Sequence, residues 1–223
     1  GFGGEDIYSL DISRIAGFIP EADAIVIFGK VTDLEENPLS AEFELNYIIE
    51  NEYYSDKVTS KEKTGEYRIA VPVSNIYKYR VAQEGYFVVK GDIIPKDTKE
   101  IEFNIMLTPF KKDVKIVYDN IYFEYDRAEL ITSSNNILDE LAETLIANPK
   151  FMVEISGHTD SAGSEEYNLG LSQRRAQSVV NYLISKGVDG TKLIAKGYGE
   201  SIAVAPNDTP EGREKNRRVE MKI

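Results

Sequence analysis

The chain has 223 residues, 42% of them hydrophobic and 29% charged, and a formal net charge of −12. That length holds one large domain or two small ones, and the acidity excludes general nucleic-acid binding, which needs a basic face. The lack of cysteine excludes disulfides and thiolate metal sites, the single His158 excludes a site of several histidines, and no apolar run approaches the roughly 20 residues of a transmembrane helix.

The first stretch, 1–23, opens on Gly1 with no signal-peptide pattern, as a mature or trimmed chain does. It is glycine-rich, with a short alternating run from Asp6 to Leu10. From Ala24 to Leu107 the pattern is β. Ile25, Ile27 and Val31 mark a first strand, and Asp33 to Pro38 a charged turn. Ala41, Phe43, Leu45 and Tyr47 alternate with polar residues, as do Tyr67, Ile69 and Val71 after the Thr64-Gly65 turn. Tyr77, Tyr79 and Val81 follow, then Gly85 to Phe87, and Ile101, Phe103, Ile105 and Leu107 close the series. Short strands with turns between them and no helical period predict a small antiparallel β-sandwich over 24–108.

A connector follows at 109–116, and the period then changes. Ile121 to Phe123 predicts a strand. Ile137, Leu138, Leu141, Leu145 and Ile146 fall at helical spacing, with Thr132 to Ser134 as candidate caps and Asn148-Pro149 as a stop. Phe151, Val153 and Ile155 alternate as a strand. Ala176, Val179, Val180, Leu183 and Ile184 predict a second amphipathic helix ended by Gly187. Leu193 to Tyr198 is strand-like, Thr209-Pro210 opens a short helix, and Val219, Met221 and Ile223 alternate in a last strand. The fold class is α+β: an N-terminal all-β sandwich, then a β-α-β-α-β domain over 117–223 with helices on one face of a mixed sheet.

The chemistry concentrates where the Phe151–Ile155 strand ends. Gly157 to Ser164 forms a polar loop, and an arginine-bearing helix begins soon after. At about 100° per residue, Arg175 sits about 40° from Val179 and flanks the buried stripe, while Arg174 turns toward solvent. An arginine with its stem along the core can hold a carboxylate by two parallel hydrogen bonds. Asp160, on the loop, can hold an ammonium. The pair therefore suits an amino-acid zwitterion, or else its members simply pair with each other, and spacing leaves both readings open. His158-Thr-Asp160-Ser161 does not read as a nucleophilic triad. Adjacent loop residues do not place a base on a nucleophile, and no oxyanion-hole motif accompanies them, so the reading is a binder and not an enzyme, with no cofactor.

Ile155-Ser-Gly-His-Thr-Asp-Ser-Ala-Gly163, Tyr167-Asn168, Leu171-Ser-Gln-Arg-Arg-Ala176, Gly197-Tyr-Gly-Glu-Ser201, Asn207 and Asn216-Arg-Arg-Val219 resemble, in order and spacing, the C-terminal domain of the OmpA family. The resemblance covers about half the chain. It implies non-covalent binding of peptidoglycan through meso-diaminopimelate of the stem peptide, with Asp160 on the ammonium and Arg175 on the carboxylate. It places Thr159, Asn168, Leu171 and Arg217 in the same site, with backbone amides near Thr159 as further donors. It also implies a periplasmic, outer-membrane-associated setting and a tethering role, with outer-membrane proteins as further partners.

Gly29-Lys-Val-Thr-Asp33, Pro38-Leu-Ser-Ala41, Thr64-Gly-Glu-Tyr67 and Glu84-Gly-Tyr86 resemble carboxypeptidase-regulatory-like β-sandwich modules. Such modules serve as spacers or interaction domains, which gives an alternative role: a scaffold whose sandwich binds a protein or glycan. Gly1-Phe-Gly-Gly-Glu-Asp-Ile-Tyr-Ser9 resembles the last strand of a PD40-type propeller blade, implying that the natural protein extends upstream. In this order the three parts resemble outer-membrane-associated proteins of the Bacteroidetes.

Overall fold

The computed structural model describes residues 24–96, 98–118 and 120–223. The propeller resemblance at 1–23 lies outside the described residues. Among the described residues, eight strands build the first half: β1 (Ala24–Asp33), β2 (Glu42–Ile49), β3 (Glu52–Thr59), β4 (Glu66–Pro72), β5 (Tyr77–Ala82), β6 (Val89–Ile93), β7 (Glu100–Glu102) and β8 (Ile105–Leu107). One sheet runs β4-β1-β7, with β8 also on β1, and the other runs β3-β2-β5-β6. Their inner faces share one core that includes Ile27, Val31, Phe43, Leu45, Tyr77, Val81 and Leu107. Burial alternates along β1, β2 and β4, as a strand with one face in the core requires.

Two expectations need correction here. The sandwich is not wholly antiparallel, because β7 and β8 both pair with β1 in parallel. The expected single strand from Ile101 to Leu107 is also broken in two. At the break Phe103 N donates to Phe28 O at 2.7 Å, and the Asn104 side chain accepts from Lys30 N at 2.8 Å. A Cβ on Gly29 would lie 2.1 Å from Phe103 O, so glycine is what lets the chain cross there. Strand β3 has no counterpart in the sequence reading. It follows β2 through a two-residue turn, Glu50-Asn51, both at positive φ, the geometry that matches strand twist.

The second half contains β9 (Lys115–Tyr118), α1 (Asn135–Ala147), β10 (Val153–Gly157), α2 (Glu165–Ser185), β11 (Leu193–Gly197), α3 (Pro210–Asn216) and β12 (Val219–Lys222). The sheet order is β11-β10-β12-β9, with β10 and β11 parallel and the other pairs antiparallel. Leu138, Leu141, Ala176, Val179, Val180 and Leu183 of the helices pack with Val153, Ile155, Val219 and Met221 of the sheet. Gly187 ends α2 in the left-handed region, and Thr209 caps α3 by accepting from Gly212 N at 3.1 Å. Ser134 stands at the start of α1, but its hydroxyl accepts from Tyr122 N at 2.8 Å and does not cap the helix.

The strand expected at Ile121–Phe123 is displaced. The sheet's edge strand is Lys115–Tyr118, inside and just after the span read as a 109–116 connector. Phe110, in the same span, is buried, its ring edge-on to Phe87 and Phe151 with centroids at 4.9 and 5.1 Å. Phe87 belongs to the β5–β6 turn, so the first half contributes a ring to the core of the second. Asn148, at the end of α1, adds polar contacts there: its side chain accepts from Gly85 N at 2.7 Å and donates to Tyr86 O at 2.9 Å. Arg80 and Lys90 both reach Glu143 of α1, at 3.3 and 3.0 Å.

Candidate functional site

The site begins where β10 stops. Gly157 O accepts from Tyr198 N, His158 N donates to Arg218 O and Thr159 N to Gly199 O, each at 2.9–3.0 Å. The loop thus leaves the sheet tied on both sides. It then turns on its own side chain, as Ala162 N donates to Asp160 Oδ1 at 3.0 Å, an Asx-type turn. Ser161 N donates to Asn207 Oδ1 at 3.3 Å, and Asn207 is held in turn by Asn216 Nδ2 at 2.9 Å. Ser164 caps α2 by accepting from Tyr167 N at 3.2 Å.

Asp160 is largely buried and keeps Oδ2 toward the rim, where Arg217 Nη1 meets it at 2.6 Å. The simple Asp160–Arg175 pair is therefore absent: the aspartate takes the arginine at the end of α3. Arg175 rises from α2 half-buried, its Nε–H donating to Arg127 O at 2.9 Å and its Cζ lying 5.0 Å from the centre of the Phe123 ring. Burial lowers its pKa, and the nearby Asp126 and Asp160 carboxylates oppose that; an arginine so placed stays charged at any ordinary pH. Arg174 is exposed, as helix geometry predicts.

The remaining expected residues serve the loop more than its rim. Asn168 is buried, and its amide donates to Asp160 O at 3.2 Å and to Glu200 Oε2. Leu171, on α2, is buried. The Thr159 amide, expected as a free donor, is taken by Gly199 O, because the loop pairs with the turn after β11. The Thr159 hydroxyl is buried without a hydrogen-bond partner among the described residues. Residues to which the sequence reading gives no binding role also frame the site: Phe123 and Arg127 hold Arg175, and Tyr167 Oη donates to Asp126 Oδ1 at 2.6 Å. Tyr167 stands beside Asn168 in the motif and Phe123 ends the Ile121–Phe123 apolar run, whereas Asp126 and Arg127 sit in a mixed-charge run with no period.

Behind the loop lies a buried polar cluster. Glu220 on β12 receives Arg218 Nε at 2.6 Å and Lys115 Nζ at 2.7 Å, with His158 Nε2 at 3.4 Å. The His158 ring stacks on Tyr198, with centroids 5.4 Å apart and planes at 5°. Burial, with the Arg218 charge, pushes His158 down to about 4. Among the described residues no group of three or more His, Cys, Asp or Glu is placed to hold a metal, and no helix is long and apolar enough to cross a membrane.

Residues 122–217 match the model of the OmpA family, a span that includes Asp160, Arg175 and Arg217. Outer membrane protein A of Bordetella avium is 39% identical over 116 residues, 52% of this chain and 60% of that protein. The peptidoglycan-binding protein ArfA of Mycobacterium bovis is 45% identical over 103 residues, 46% of this chain and 32% of that protein. The chain therefore spans less than two thirds of these curated relatives. Among solved structures, the peptidoglycan-associated lipoprotein from Burkholderia pseudomallei is 30% identical with a TM-score of 0.44, covering 46% of this chain and 86% of that one.

Proposed function

We propose that this chain, whose residues 122–217 are an OmpA-family domain, binds peptidoglycan without covalent attachment and tethers the outer membrane, or a complex at it, to the cell wall. The ligand group is the zwitterionic centre of diaminopimelate in the stem peptide. Asp160 takes the ammonium and Arg175 the carboxylate. The observation that carries this reading is a loop carboxylate near an arginine fixed at Nε, whose terminal nitrogens make no hydrogen bond among the described residues. Thr159, Asn168 and Leu171 set the loop's shape.

Arg217 has a double part in this proposal. It covers Asp160 in the free protein, and its side chain is 46% exposed. An arriving ammonium replaces it, and the released guanidinium then lies beside the incoming carboxylate. Charge-assisted contacts of this kind contribute roughly 1.5–3 kcal/mol each before entropic losses, so one stem binds modestly and many copies along a polymer raise retention. The role is binding without turnover, in the periplasm.

The test is pull-down with insoluble peptidoglycan. The parent chain co-sediments, and Asp160→Ala and Arg175→Ala each lose most of that binding while their thermal unfolding stays cooperative. Undiminished sedimentation of both variants sinks the site. Steady release of soluble muropeptides points instead to an enzyme. Removal of residues 1–108 leaves binding in place; its loss would make the sandwich the binder.

A further inference from the structure

We infer that the 122–131 segment is a strap that aims Arg175, and that Tyr167 and Asp126 fasten it; this rests on the proposed reading of Arg175 as the carboxylate holder. A free arginine side chain has rotamer entropy to lose on binding. An arginine already fixed in its binding orientation avoids most of that loss. Here the fixing groups come from outside the helix that bears the residue. Arg127 O takes the Nε–H at 2.9 Å, and the Phe123 ring lies against the guanidinium face at 5.0 Å. With Nε engaged, the two terminal nitrogens make no hydrogen bond among the described residues, and the edge they form can present two parallel N–H groups to a carboxylate.

Phe123 and Leu130 pack against the core beneath the helices, and Arg127 N donates to Glu124 O at 3.0 Å within the turn. The segment folds back on itself through Ile131 N to Tyr122 O at 3.0 Å and Glu124 N to Glu129 O at 2.9 Å, with a bridge between Phe123 and Leu130. Its tip carries Asp126 at a φ of 56°, a left-handed conformation that costs a residue with a side chain unless the surroundings hold it. It is held by the turn bond from Arg127 N to Glu124 O at 3.0 Å and, from outside the segment, by the Tyr167 hydroxyl on Asp126 Oδ1 at 2.6 Å. Two adjacent residues of the tip are thus tied to two residues of α2, Asp126 to Tyr167 and Arg127 to Arg175. A helical arginine runs back toward the helix N-terminus, which is the direction of Tyr167.

The same bond has a second effect. Asp126 is the carboxylate that acts most strongly on Arg175. While its Oδ1 accepts from Tyr167 it stays at the tip; released, it is free to pair with that edge of Arg175 and close it to a ligand. Tyr167 and Asp126 are therefore positioning residues, acting on the ligand through Arg175.

The experiment uses the whole chain and two tripeptide probes alike except for the third residue, diaminopimelate in one and lysine in the other. Calorimetric titration reads both affinities and their ratio. Tyr167→Phe keeps the ring and removes the hydroxyl. It is expected to weaken the diaminopimelate probe about fivefold to tenfold, the worth of one hydrogen bond, and to leave the lysine probe nearly unchanged, so the ratio falls. Asp126→Asn keeps an acceptor for the hydroxyl and cannot form the competing ion pair, so it is expected to stay within about twofold of the parent. A Tyr167→Phe variant with the parent's ratio overturns the strap, as does one that weakens both probes alike. A parent chain that binds neither probe overturns the reading of the site beneath it, and the strap with it.

Discussion

His158 stands two residues before Asp160, buried, with neither ring nitrogen in a hydrogen bond among the described residues. Its contacts are the Tyr198 ring and the edge of a cluster that already balances Glu220 against Arg218 and Lys115. A proton there would add a cation beside two others, which is why burial and Arg218 hold its pKa near 4. The consequence for stability has a definite sign. Above about pH 6.5 the ring is neutral in folded and unfolded chain alike. Between there and about pH 4 the unfolded chain takes a proton that the fold refuses, so stability falls as pH drops and levels off beneath that window. The loss is on the order of 3 kcal/mol across the window. Glu220, whose own pKa is lowered by Lys115 and Arg218 against burial, adds to the acid sensitivity at the low end. His158→Phe keeps a ring against Tyr198 and removes the titration. Urea melts of parent and variant from pH 7.5 to pH 4 are expected to agree near neutrality and diverge on acidification, the parent losing more; parallel curves would show that His158 is not the group responsible.

The elements around the site are held close by two glycines. A Cβ on Gly157, at the end of β10, would lie 2.3 Å from Ser172 O, and one on Gly197, at the end of β11, 2.3 Å from Gln173 N. Both contacts are to the backbone of α2 in the turn before Arg175. Ser172 Oγ also accepts from Gly199 N at 2.8 Å, and Gln173 Oε1 from Gly197 N at 2.7 Å. The helix therefore rests on the strand ends without side chains between, which sets the height of Arg175 over the loop. Gly157→Ala or Gly197→Ala must push α2 outward, at a cost of about 1–3 kcal/mol, and is expected to weaken wall binding beyond what the lower melting temperature explains. Binding measured well below the melting temperature checks this; full retention would mean that the height of α2 is unimportant. How far the sequence reveals these elements depends on which forces leave a period. The apolar stripe of α2 does, and with it the contrast between Arg175 and Arg174. Strand β3 leaves none, because the inward positions of Glu52–Thr59 include Asp56, which meets the Tyr47 hydroxyl, and no residue of the strand is fully buried. Strand β9 is short, and its Val117 faces outward, so the apolar run at Ile121–Phe123 looked more like a strand than the true one. Of the partners of Asp160 and Arg175, Arg217 is placed in the site by the family resemblance. Arg127, Phe123 and Asp126 reach it through tertiary placement, which spacing along the chain does not encode.

Across the whole molecule, the two halves meet through groups that neither satisfies alone. Asn148 ends α1, donating to Thr144 O at 2.8 Å within its own half and bonding Gly85 N and Tyr86 O of the other. Thr144 Oγ1 accepts from Val88 N at 3.3 Å. Beside these, Phe110 packs between Phe87 and Phe151. A buried amide that loses its acceptor costs about 1–3 kcal/mol, so Asn148→Ala strands Gly85 N and Tyr86 O at the junction. The parent chain is expected to unfold in one transition by calorimetry, and Asn148→Ala to lower the melting temperature and separate the transition into two. A single unshifted transition in the variant would show that the halves are not coupled there. The ligand site should not notice, because it lies at the other end of β10. The strand starts beside Phe151 and ends at Gly157, a span of roughly 17 Å at the rise of an extended chain. Removing residues 1–108 exposes Phe110 and Phe151 at the near end and leaves Asp160, Arg175 and their strap at the far one. Such a truncated chain is expected to melt lower yet sediment with peptidoglycan as the parent does. That outcome would assign the sandwich to holding and orienting the wall-binding half, with the grip on the ligand belonging to that half alone.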